Sequence, residues 1–445
     1  MDDSHNPAAS TVAVIGLGKI GLPLAALFAR NGYHVIGADI DPTAVAAVNQ
    51  GTSHIDNEPG LANLITAARH ANTLAATTNT AEAVAQADII VVIVPVLTDD
   101  QNKIDYRSID QAVKTIAQGL QKDSLVIFET TLPPGDTENR FGKMIEETSG
   151  WQPGKDVDLA YSPERVYANQ IIHDLEHYPK VIGGINDRSR KRAAAFYQKA
   201  LGCPLIDVRS LETAEFAKIA ECVYRDVNIA LANELAMFAD RLDVHMPEVL
   251  QASNSQPYAH IHSPGIGVGG HCIPVYPYFF INQGLNTGLV PLSRQVNDGM
   301  ANYAINKIEK QIGALDDKTI LILGLSYRGD VKEPAKSTAL LLIEELKNKG
   351  AHPFVHDPLF SDEDILNCEA TPLTLNSQAC ADIDGVILQA FHKQYSELDF
   401  SQFPNCQIVL DGRNQLNKQD ITRHGITYAG IGNTGGDGFD THPYG

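Results

Sequence analysis

Residues 12–21 of this 445-residue chain read VAVIGLGKIG, an apolar run that leads into three glycines. The run has the composition of a buried strand, and residues 22–31 have the periodicity of a helix. In a Gly-x-Gly-x-x-Gly turn of this kind, Gly16 permits the tight turn and Gly18 lets a pyrophosphate approach the backbone. Gly21 allows the helix to pack closely on the strand. The stretch therefore predicts a dinucleotide-binding βαβ unit.

An acidic residue, Asp39, ends the next apolar run, 18 residues after Gly21. This spacing places a carboxylate on the hydroxyl groups of an adenine ribose. The carboxylate would repel a 2′-phosphate, and no arginine follows in residues 40–42, so the motif favours NAD over NADP. The alternative is a glycine-rich turn that binds nothing, and the surrounding strand, helix and Asp39 count against it.

The pattern of apolar residues along the chain predicts the fold class. Short apolar runs alternate with amphipathic stretches through residues 11–208, which is typical of a parallel sheet covered by helices on both faces. Residues 211–243 then keep a helical period with no Gly or Pro, which predicts one long helix at a domain junction or dimer interface. From Thr319 the strand–helix alternation resumes. We therefore predict an α/β protein with two Rossmann-like, doubly wound parallel-sheet domains joined by a central helical domain.

The same changes of pattern predict domain boundaries. An N-terminal Rossmann-like domain covers residues 1–208, a central helical domain residues 209–314, and a C-terminal sheet domain residues 315–430. Residues 431–445 are rich in glycine and poor in apolar side chains, which predicts a flexible tail.

Composition limits the classes of partner and the compartment. The formal net charge of −20 argues against nucleic acid and anionic membranes as partners, since both attract basic surfaces. The longest apolar stretches have about ten residues, roughly half a membrane span. Six cysteines lie far apart, with neither a CxxC pair nor metal-ligand spacing, and the N-terminus lacks the basic start of a signal peptide. We expect a soluble cytoplasmic protein without a metal site.

A second glycine-rich segment, PGIGVGGHCIPVYP, occupies residues 264–277. Its glycines allow a loop to approach a ligand closely, and Cys272 follows them directly. A lone cysteine is most often a small buried hydrophobe. In an NAD-dependent enzyme, a thiolate can instead trap an aldehyde as a thiohemiacetal, which a second NAD⁺ oxidises to a thioester. The pattern alone leaves both interpretations open.

Several motifs together resemble those of the UDP-glucose/GDP-mannose dehydrogenase family over roughly residues 11–430. In chain order they are GLGKIGLPLA, FETTLPPGDT, YSPER, FAK followed by RDVNIALANELA, GVGGHC and LDGR. The resemblance implies oxidation of a sugar C6 alcohol to an acid with two NAD⁺ consumed. It also implies an N-terminal NAD domain, a homodimer built on the central helix, and a C-terminal domain that binds the UDP-sugar.

The resemblance assigns roles to individual residues. Cys272 matches the nucleophile, Lys218 the lysine that steadies a developing oxyanion, and Glu164 the acid/base. Without the resemblance, Lys218 would be read as part of a solvated helix face. The catalytic residues implied are Cys272, Lys218, Glu164, Thr131 and Tyr276. Those implied to bind NAD are Gly16, Gly18, Ile20, Gly21, Asp39, Pro95 and Thr131. Those implied to bind the substrate are Glu164, Arg165, Lys218, Gly267, Gly269, Gly270, Arg328 and Arg413.

Four positions depart from the pattern of the family. Cys222 stands where an Asn is usual, and Tyr276 stands where an Asp is usual. The Asn and Asp act together on the thiohemiacetal and on the hydrolytic water, whereas a tyrosine hydroxyl is a donor with a pKa near 10. Arg328 replaces a usual Lys, and Ala335 stands where an Arg is expected. The changes at Cys222 and Tyr276 put the hydrolytic step in question more than the first oxidation.

The motifs SPER and GVGGHCIPV resemble the branch of the family that acts on N-acetylhexosamines, above all on UDP-N-acetyl-D-mannosamine. UDP-N-acetylglucosamine and UDP-glucose are alternative substrates. A single-step 3-hydroxyacid dehydrogenase would share the NAD domain and helical spine, but it would need neither Cys272 nor a third domain. A nucleotide-sugar binding protein that has lost turnover is the non-enzymatic alternative, motivated by Cys222 and Tyr276.

Overall fold

The computed structural model describes residues 10–55, 57–284 and 288–433. By its internal contacts the chain forms two compact units: Met1–Glu221 with Tyr278–Gln283, and Cys222–Pro277 with Gly284–Gly445. The boundaries expected after residues 208 and 314 stay predictions. The predicted flexible tail lies outside the described residues from position 434 onwards.

The first unit is built on a sheet of eight strands, and two further strands form a small hairpin. In chain order the strands are β1 (Thr11–Ile15), β2 (His34–Ala38), β3 (Leu74–Thr77), β4 (Ile89–Val92), β5 (Leu97–Thr98), β6 (Ile104–Asp105), β7 (Leu125–Phe128), β8 (Asp158–Tyr161), β9 (Lys180–Gly184) and β10 (Leu205–Asp207). The order in the large sheet is β10-β9-β8-β7-β4-β1-β2-β3. Strands β5 and β6 pair with each other.

Helices cover this sheet, as the alternation of the sequence predicts. They are α1 (Gly21–Arg30), α2 (Pro42–Asn49), α3 (Leu61–His70), α4 (Thr80–Ala85), α5 (Arg107–Gly119), α6 (Lys143–Ser149), α7 (Ile171–His177) and α8 (Asp187–Ala200), with a π-helical turn at Thr137–Gly142. Every residue of α1 from Gly21 to Ala29 is buried, because its small and apolar side chains pack directly on the sheet.

One pairing of the first sheet differs from an all-parallel arrangement. Strand β9 runs antiparallel to β8, whereas the other pairs of the sheet are parallel. A reversed strand near the edge of a sheet still pairs its backbone groups, so mixed sheets of this kind are common. The apolar run of β9 does not reveal its direction in the sequence.

The long helix that the sequence predicts is present as α9 (Leu211–Leu242), and the boundary between the two units falls within it. The elements that follow are α10 (Met246–Ser253), α11 (Tyr276–Ile281), α12 (Leu289–Ile312), β11 (Thr319–Leu323), α13 (Thr338–Asn348), β12 (His352–His356), α14 (Asp362–Asn367), β13 (Thr371–Pro372), β14 (Gly385–Leu388), β15 (Ile408–Asp411), α15 (Lys418–Thr422) and β16 (Thr427–Gly430), with 3₁₀ turns at Lys393–Glu397 and Phe400–Gln402.

The sheet of the second unit is entirely parallel, with the order β13-β12-β11-β14-β15-β16. This is the strand order of a Rossmann fold, in which the first strand lies between the second and the fourth. The predicted fold class is therefore confirmed.

Buried polar contacts fix α12 against α9 within the second unit. Arg294 Nη1 lies 2.6 Å from Asp226 Oδ1, and the Asn297 side chain donates to the same carboxylate oxygen at 2.8 Å. Burial raises the pKa of Asp226, while the Arg294 guanidinium acts against that shift.

Among the residues that the structure describes, no helix is long and apolar enough to span a membrane.

Candidate functional site

The glycine turn after β1 has the geometry that a dinucleotide requires. Gly16 has a φ of 96°, and its N–H donates to the carbonyl of Ala38 at 2.8 Å. A Cβ on Gly21 would lie 1.9 Å from the carbonyl oxygen of Gly16, so only glycine fits there. A Cβ on Gly18 would meet no atom within 4 Å, so the backbone at this point faces open space. The turn is therefore closely packed at Gly21, while its backbone at Gly18 is open to a ligand.

The Asp39 side chain is held by hydrogen bonds from two backbone N–H groups. Its Oδ2 accepts from the N–H of Leu17 at 2.6 Å, and its Oδ1 accepts from the N–H of Asp41 at 2.9 Å. The two oxygens of a carboxylate offer about four acceptor positions. The half-buried Asp39 therefore keeps acceptor capacity for ribose hydroxyl groups, and the turn fits NAD.

Other predicted cofactor residues lie at the same edge of the sheet. Strand β1 lies between β4 and β2, which is where the strand order reverses and where ligands of such sheets bind. Pro95 is exposed in the segment that follows β4, and Ile20 is half-buried directly before α1. No described side chain caps the N-terminus of α1. Its first N–H groups suit an anion such as a pyrophosphate.

Thr131 lies in the segment that follows β7. Its side chain is buried, and its Oγ1 has no hydrogen-bond partner within the described protein. A buried hydroxyl group without a partner needs a ligand or an ordered water. The position thus fits the catalytic and NAD-binding roles that the resemblance implies for Thr131.

The sequence analysis did not identify Glu215, which anchors this segment to α9. Its carboxylate accepts from the N–H of Gly135 at 2.5 Å and from the N–H of Thr137 at 2.9 Å. Burial is the largest influence and raises the pKa of Glu215 to about 7, although these hydrogen bonds oppose it. The segment that carries Thr131 is thereby tied to the helix that carries Lys218.

Lys218 lies in a cluster of charged groups within the first unit. Its Nζ lies 3.7 Å from Glu164 Oε1 and 3.6 Å from Glu221 Oε1. Arg165 Nε donates to Glu221 Oε2 at 3.0 Å. The Lys218 side chain is only 6% exposed, so it is not part of a solvated helix face. The structure brings Lys218, Glu164 and Arg165 together.

The sequence analysis also missed Glu221 in this cluster. A signal was available, because residues three positions apart on a helix are neighbours and Glu221 follows Lys218 by that spacing. The cluster offers a buried cation between two carboxylates. That arrangement can stabilise a developing negative charge and exchange a proton.

The cysteine loop of the second unit, residues 264–272, packs against the segment after β11. A Cβ on Gly269 would lie 2.7 Å from the carbonyl oxygen of Lys336, and Gly270 has a φ of 97°. A Cβ on Gly267 would lie 2.6 Å from the carbonyl oxygen of Asn297. These three glycines are therefore required by the packing of the loop on its own unit. Whether they also contact a ligand stays a prediction.

Cys272 ends this loop and is half-buried. The N–H of Tyr276 donates to the carbonyl of Cys272 at 2.9 Å, so the two residues are one helical turn apart at the start of α11. Tyr276 and Cys222 are buried. None of the six cysteines forms a disulfide, and Cys272 and Cys368 are the two with partial exposure.

Arg328 and Arg413 lie in segments that follow β11 and β15, at the carboxyl edge of the second sheet. Arg413 Nε donates to the carbonyl of Gln389 at 2.5 Å, and a Cβ on Gly265 would lie 2.9 Å from Arg413 Nη1. Burial lowers the pKa of Arg413 to about 10, so its guanidinium is charged at neutral pH. Two arginines at this edge suit a diphosphate.

The predicted site residues thus fall into two sets. The first unit holds the glycine turn, Asp39, Thr131 and the Lys218 cluster, whereas the second holds Cys272 with its loop, Arg328 and Arg413. Within the described parts of the chain, no group of three or more His, Cys, Asp or Glu side chains could hold a metal ion.

Comparison with known proteins gives three matches along the chain. The models of the UDP-glucose/GDP-mannose dehydrogenase family match at residues 10–201 for the NAD binding domain, 212–299 for the central domain and 321–418 for the UDP binding domain.

Curated relatives and solved structures extend over nearly the whole chain. The UDP-N-acetyl-D-mannosamine dehydrogenase of Campylobacter jejuni is 36% identical over 406 residues, which cover 87% of this chain and 96% of the relative. The structure of the Pyrococcus horikoshii UDP-D-ManNAc dehydrogenase has a TM-score of 0.85 and 29% identity, covering 95% of this chain and 99% of that one. A UDP-glucose dehydrogenase structure from Pyrobaculum islandicum has a TM-score of 0.86 and 27% identity, covering 96% and 99%. This chain therefore belongs to the UDP-glucose/GDP-mannose dehydrogenase family and is an NAD-dependent UDP-sugar dehydrogenase.

Proposed function

We propose that the substrate is UDP-N-acetyl-D-mannosamine and that its C6 alcohol becomes a carboxylate through a thioester on Cys272. The observation that carries the choice of sugar is the similarity to UDP-N-acetyl-D-mannosamine dehydrogenases, which reaches 36% identity over most of the chain. UDP-glucose is the second candidate, because a UDP-glucose dehydrogenase has the same fold at a TM-score of 0.86.

In the first step the alcohol at C6 becomes an aldehyde. NAD⁺, held by the glycine turn at residues 16–21 and by Asp39, would supply the hydride acceptor for each of the two oxidations. Glu164 accepts the proton of the alcohol, and the ammonium group of Lys218 stabilises the negative charge that develops on the oxygen. The distance of 3.7 Å between Lys218 Nζ and Glu164 Oε1 supports this pairing of roles.

Cys272 carries the second half of the reaction. Its thiolate adds to the aldehyde carbon to form a thiohemiacetal, and loss of a second hydride leaves a thioester. Water then attacks the thioester carbon, and the thiolate leaves as the carboxylate forms. Glu164 first releases the proton of the alcohol to solvent and then accepts a proton from this water, and the unpartnered hydroxyl group of Thr131 orients the water.

The hydrolytic step works without the usual Asn and Asp of the family. Cys222 offers no amide, and Tyr276 offers a hydroxyl group in place of a carboxylate. A hydroxyl group can hold a water by a hydrogen bond, but at neutral pH it is not an anionic base. We therefore propose that Glu164 is the base for this step and that Tyr276 is a hydrogen-bonding partner of the substrate or water.

We also propose that two copies of the chain associate through α9. Tyr224, Leu231 and Phe238 follow at seven-residue intervals on this helix and are 53%, 47% and 53% exposed. A spacing of seven residues places apolar side chains on one helical face, as at the seam of paired helices. Leu242 continues this face and is 71% exposed. A second copy would remove this apolar face from water.

The cytoplasm is the compartment that we propose. None of the six cysteines, all of which lie in the described parts of the chain, forms a disulfide. Free thiols persist in a reducing compartment, whereas an oxidising one favours disulfides.

The number of NADH molecules formed per sugar tests the reaction. With limiting UDP-N-acetyl-D-mannosamine and excess NAD⁺, absorbance should show two NADH per sugar because the alcohol loses four electrons. UDP-glucose serves as the comparison and should give a lower kcat/KM. One NADH per sugar would indicate a single-step dehydrogenase, and no NADH would indicate a binding protein. A higher kcat/KM with UDP-glucose would overturn the choice of sugar.

Replacement of Cys272 tests the thioester. Cys272→Ala should abolish formation of the acid while leaving NAD⁺ affinity in calorimetry unchanged, because the alanine removes only the nucleophile. Cys368→Ala is the matched control, since Cys368 is the other partly exposed cysteine. Acid production by Cys272→Ala at the rate of the control would exclude the mechanism.

Replacement of Asp39 tests how the cofactor is held. Asp39→Ser removes hydrogen bonds to a charged group, each contributing about 1.5–3 kcal/mol, so NAD⁺ should bind about 10–100-fold more weakly. NADP⁺ should improve relative to NAD⁺ because the repelling charge is gone. Asp41→Asn is the control, since asparagine also caps a helix and Asp41 caps α2. Wild-type preference for NADP⁺ would contradict the role of Asp39.

A charge on the apolar face of α9 tests the dimer. Phe238→Lys should convert the wild-type dimer to a monomer in light scattering, because the interface would have to bury an ammonium group. Leu366→Lys is the control on α14, where Leu366 is also exposed, at 59%. If Phe238→Lys keeps the mass of the wild type, or if the wild type is a monomer, α9 does not form the interface.

A further inference from the structure

The segment Tyr327–Ser337, which follows β11, contacts the end of the cysteine loop. The N–H of Gly270 donates to the carbonyl of Ala335 at 2.9 Å. A Cβ on Gly270 would lie 3.2 Å from the ring of Tyr327, and one on Gly269 would lie 2.7 Å from the Lys336 carbonyl oxygen. The backbone of the loop thus lies directly on this segment.

One side-chain contact joins the same two segments beside the nucleophile. His271 Nε2 lies 3.0 Å from Glu333 Oε2, and His271 precedes Cys272 directly. The Glu333 side chain is only 11% exposed, whereas that of His271 is 49% exposed. The buried partner is therefore the carboxylate, and the imidazole reaches it from the loop.

Glu333 is itself held firmly. Its Oε1 accepts from the N–H of Ala335 at 3.1 Å, and its backbone carbonyl accepts from the N–H of Tyr327 at 3.0 Å. The carboxylate is thus fixed to the backbone of its own segment and presents its second oxygen to His271.

The contact between His271 and Glu333 restricts a loop that its glycine content would otherwise leave flexible. Glycine has more conformational freedom to lose than any other residue, and four of the six residues 265–270 are glycine. A nucleophile has to be held to within about 0.5 Å of its productive position. The N–H of Gly270 fixes the loop before His271, and the carbonyl of Cys272 accepts from the N–H groups of Val275 and Tyr276 after it. The His271 side chain adds an anchor to the segment after β11 directly beside the thiol.

We propose that His271 and Glu333 are positioning residues that hold Cys272 in its reactive place. The proposal rests on the proposed role of Cys272 as the nucleophile. Neither side chain takes part in a chemical step. Their contact limits how far the glycine-rich loop can move, so that the thiol stays oriented toward the aldehyde while access of other molecules is restricted.

Loss of the contact between His271 and Glu333 should raise the rate of alkylation of Cys272 and lower the rate of turnover. Without the contact the loop opens more often, so a small alkylating reagent should reach Cys272 faster. The same freedom should slow turnover, because a displacement of about 1 Å can cost about 10²-fold in rate. A contact that only stabilised the fold would instead affect both partly exposed cysteines together.

The experiment uses the full-length protein with Glu333→Ala and, from the other side of the contact, His271→Ala. Alkylation by iodoacetamide is followed by peptide mass spectrometry, with Cys368 as the internal reference. In both variants iodoacetamide should modify Cys272 about three- to tenfold faster, as expected for the loss of one hydrogen bond, with Cys368 unchanged. The kcat for acid formation should fall about 10- to 100-fold, with little change in KM. The double variant should resemble the single variants, because both remove one contact.

Asp317→Ala is the matched control. It removes a pair of the same kind, His352 Nε2 to Asp317 Oδ1 at 3.7 Å, elsewhere in the second unit. It should leave both rates as in the wild type. Wild-type alkylation of Cys272 in both variants would overturn the proposal, and so would an equal acceleration at Cys368. Alkylation of Cys272 can be measured without turnover. A failure of the positioning role can therefore be distinguished from a failure of the proposed reaction.

Discussion

The direction of parallel strands is the constraint on which the arrangement of this protein depends. Parallel strands end at one edge of a sheet, so the segments that follow them gather there. In the first unit, that edge carries the glycine turn after β1, Pro95 after β4 and Thr131 after β7. In the second unit it carries Arg328 after β11 and Arg413 after β15. Residues far apart in the sequence thereby become neighbours without any local motif that joins them.

Charge has a local role in a chain that is acidic as a whole. The formal net charge of −20 offers no general attraction for NAD or for a UDP-sugar, both of which are anions. The groups that we propose to attract these anions are placed individually: the N–H groups at the start of α1, the Lys218 ammonium group, and the guanidinium groups of Arg328 and Arg413. Lys218 is compensated by two carboxylates in the first unit, which makes its burial tolerable.

The parts of the structure that could be predicted are those encoded by local pattern. The glycine turn, the long helix and most strands follow from spacing and apolar runs, because backbone sterics and burial act over a few residues. The direction of β9 could not be predicted, since an apolar run is the same in either orientation. Glu215 and Glu333 were missed because their partners, Thr137 and His271, lie far away in the chain. Such contacts leave no trace in a single sequence.

The central claim is that the sugar is bound covalently to Cys272 from the end of the first oxidation until the acid is released. Rapid acid quenching of the wild-type enzyme during its first turnover, followed by peptide mass spectrometry, tests this claim most directly. The account predicts an added mass equal to the acyl form of the UDP-sugar on the peptide that contains Cys272. Acid released over the same interval with Cys272 unmodified, or with the adduct on another residue, would contradict it.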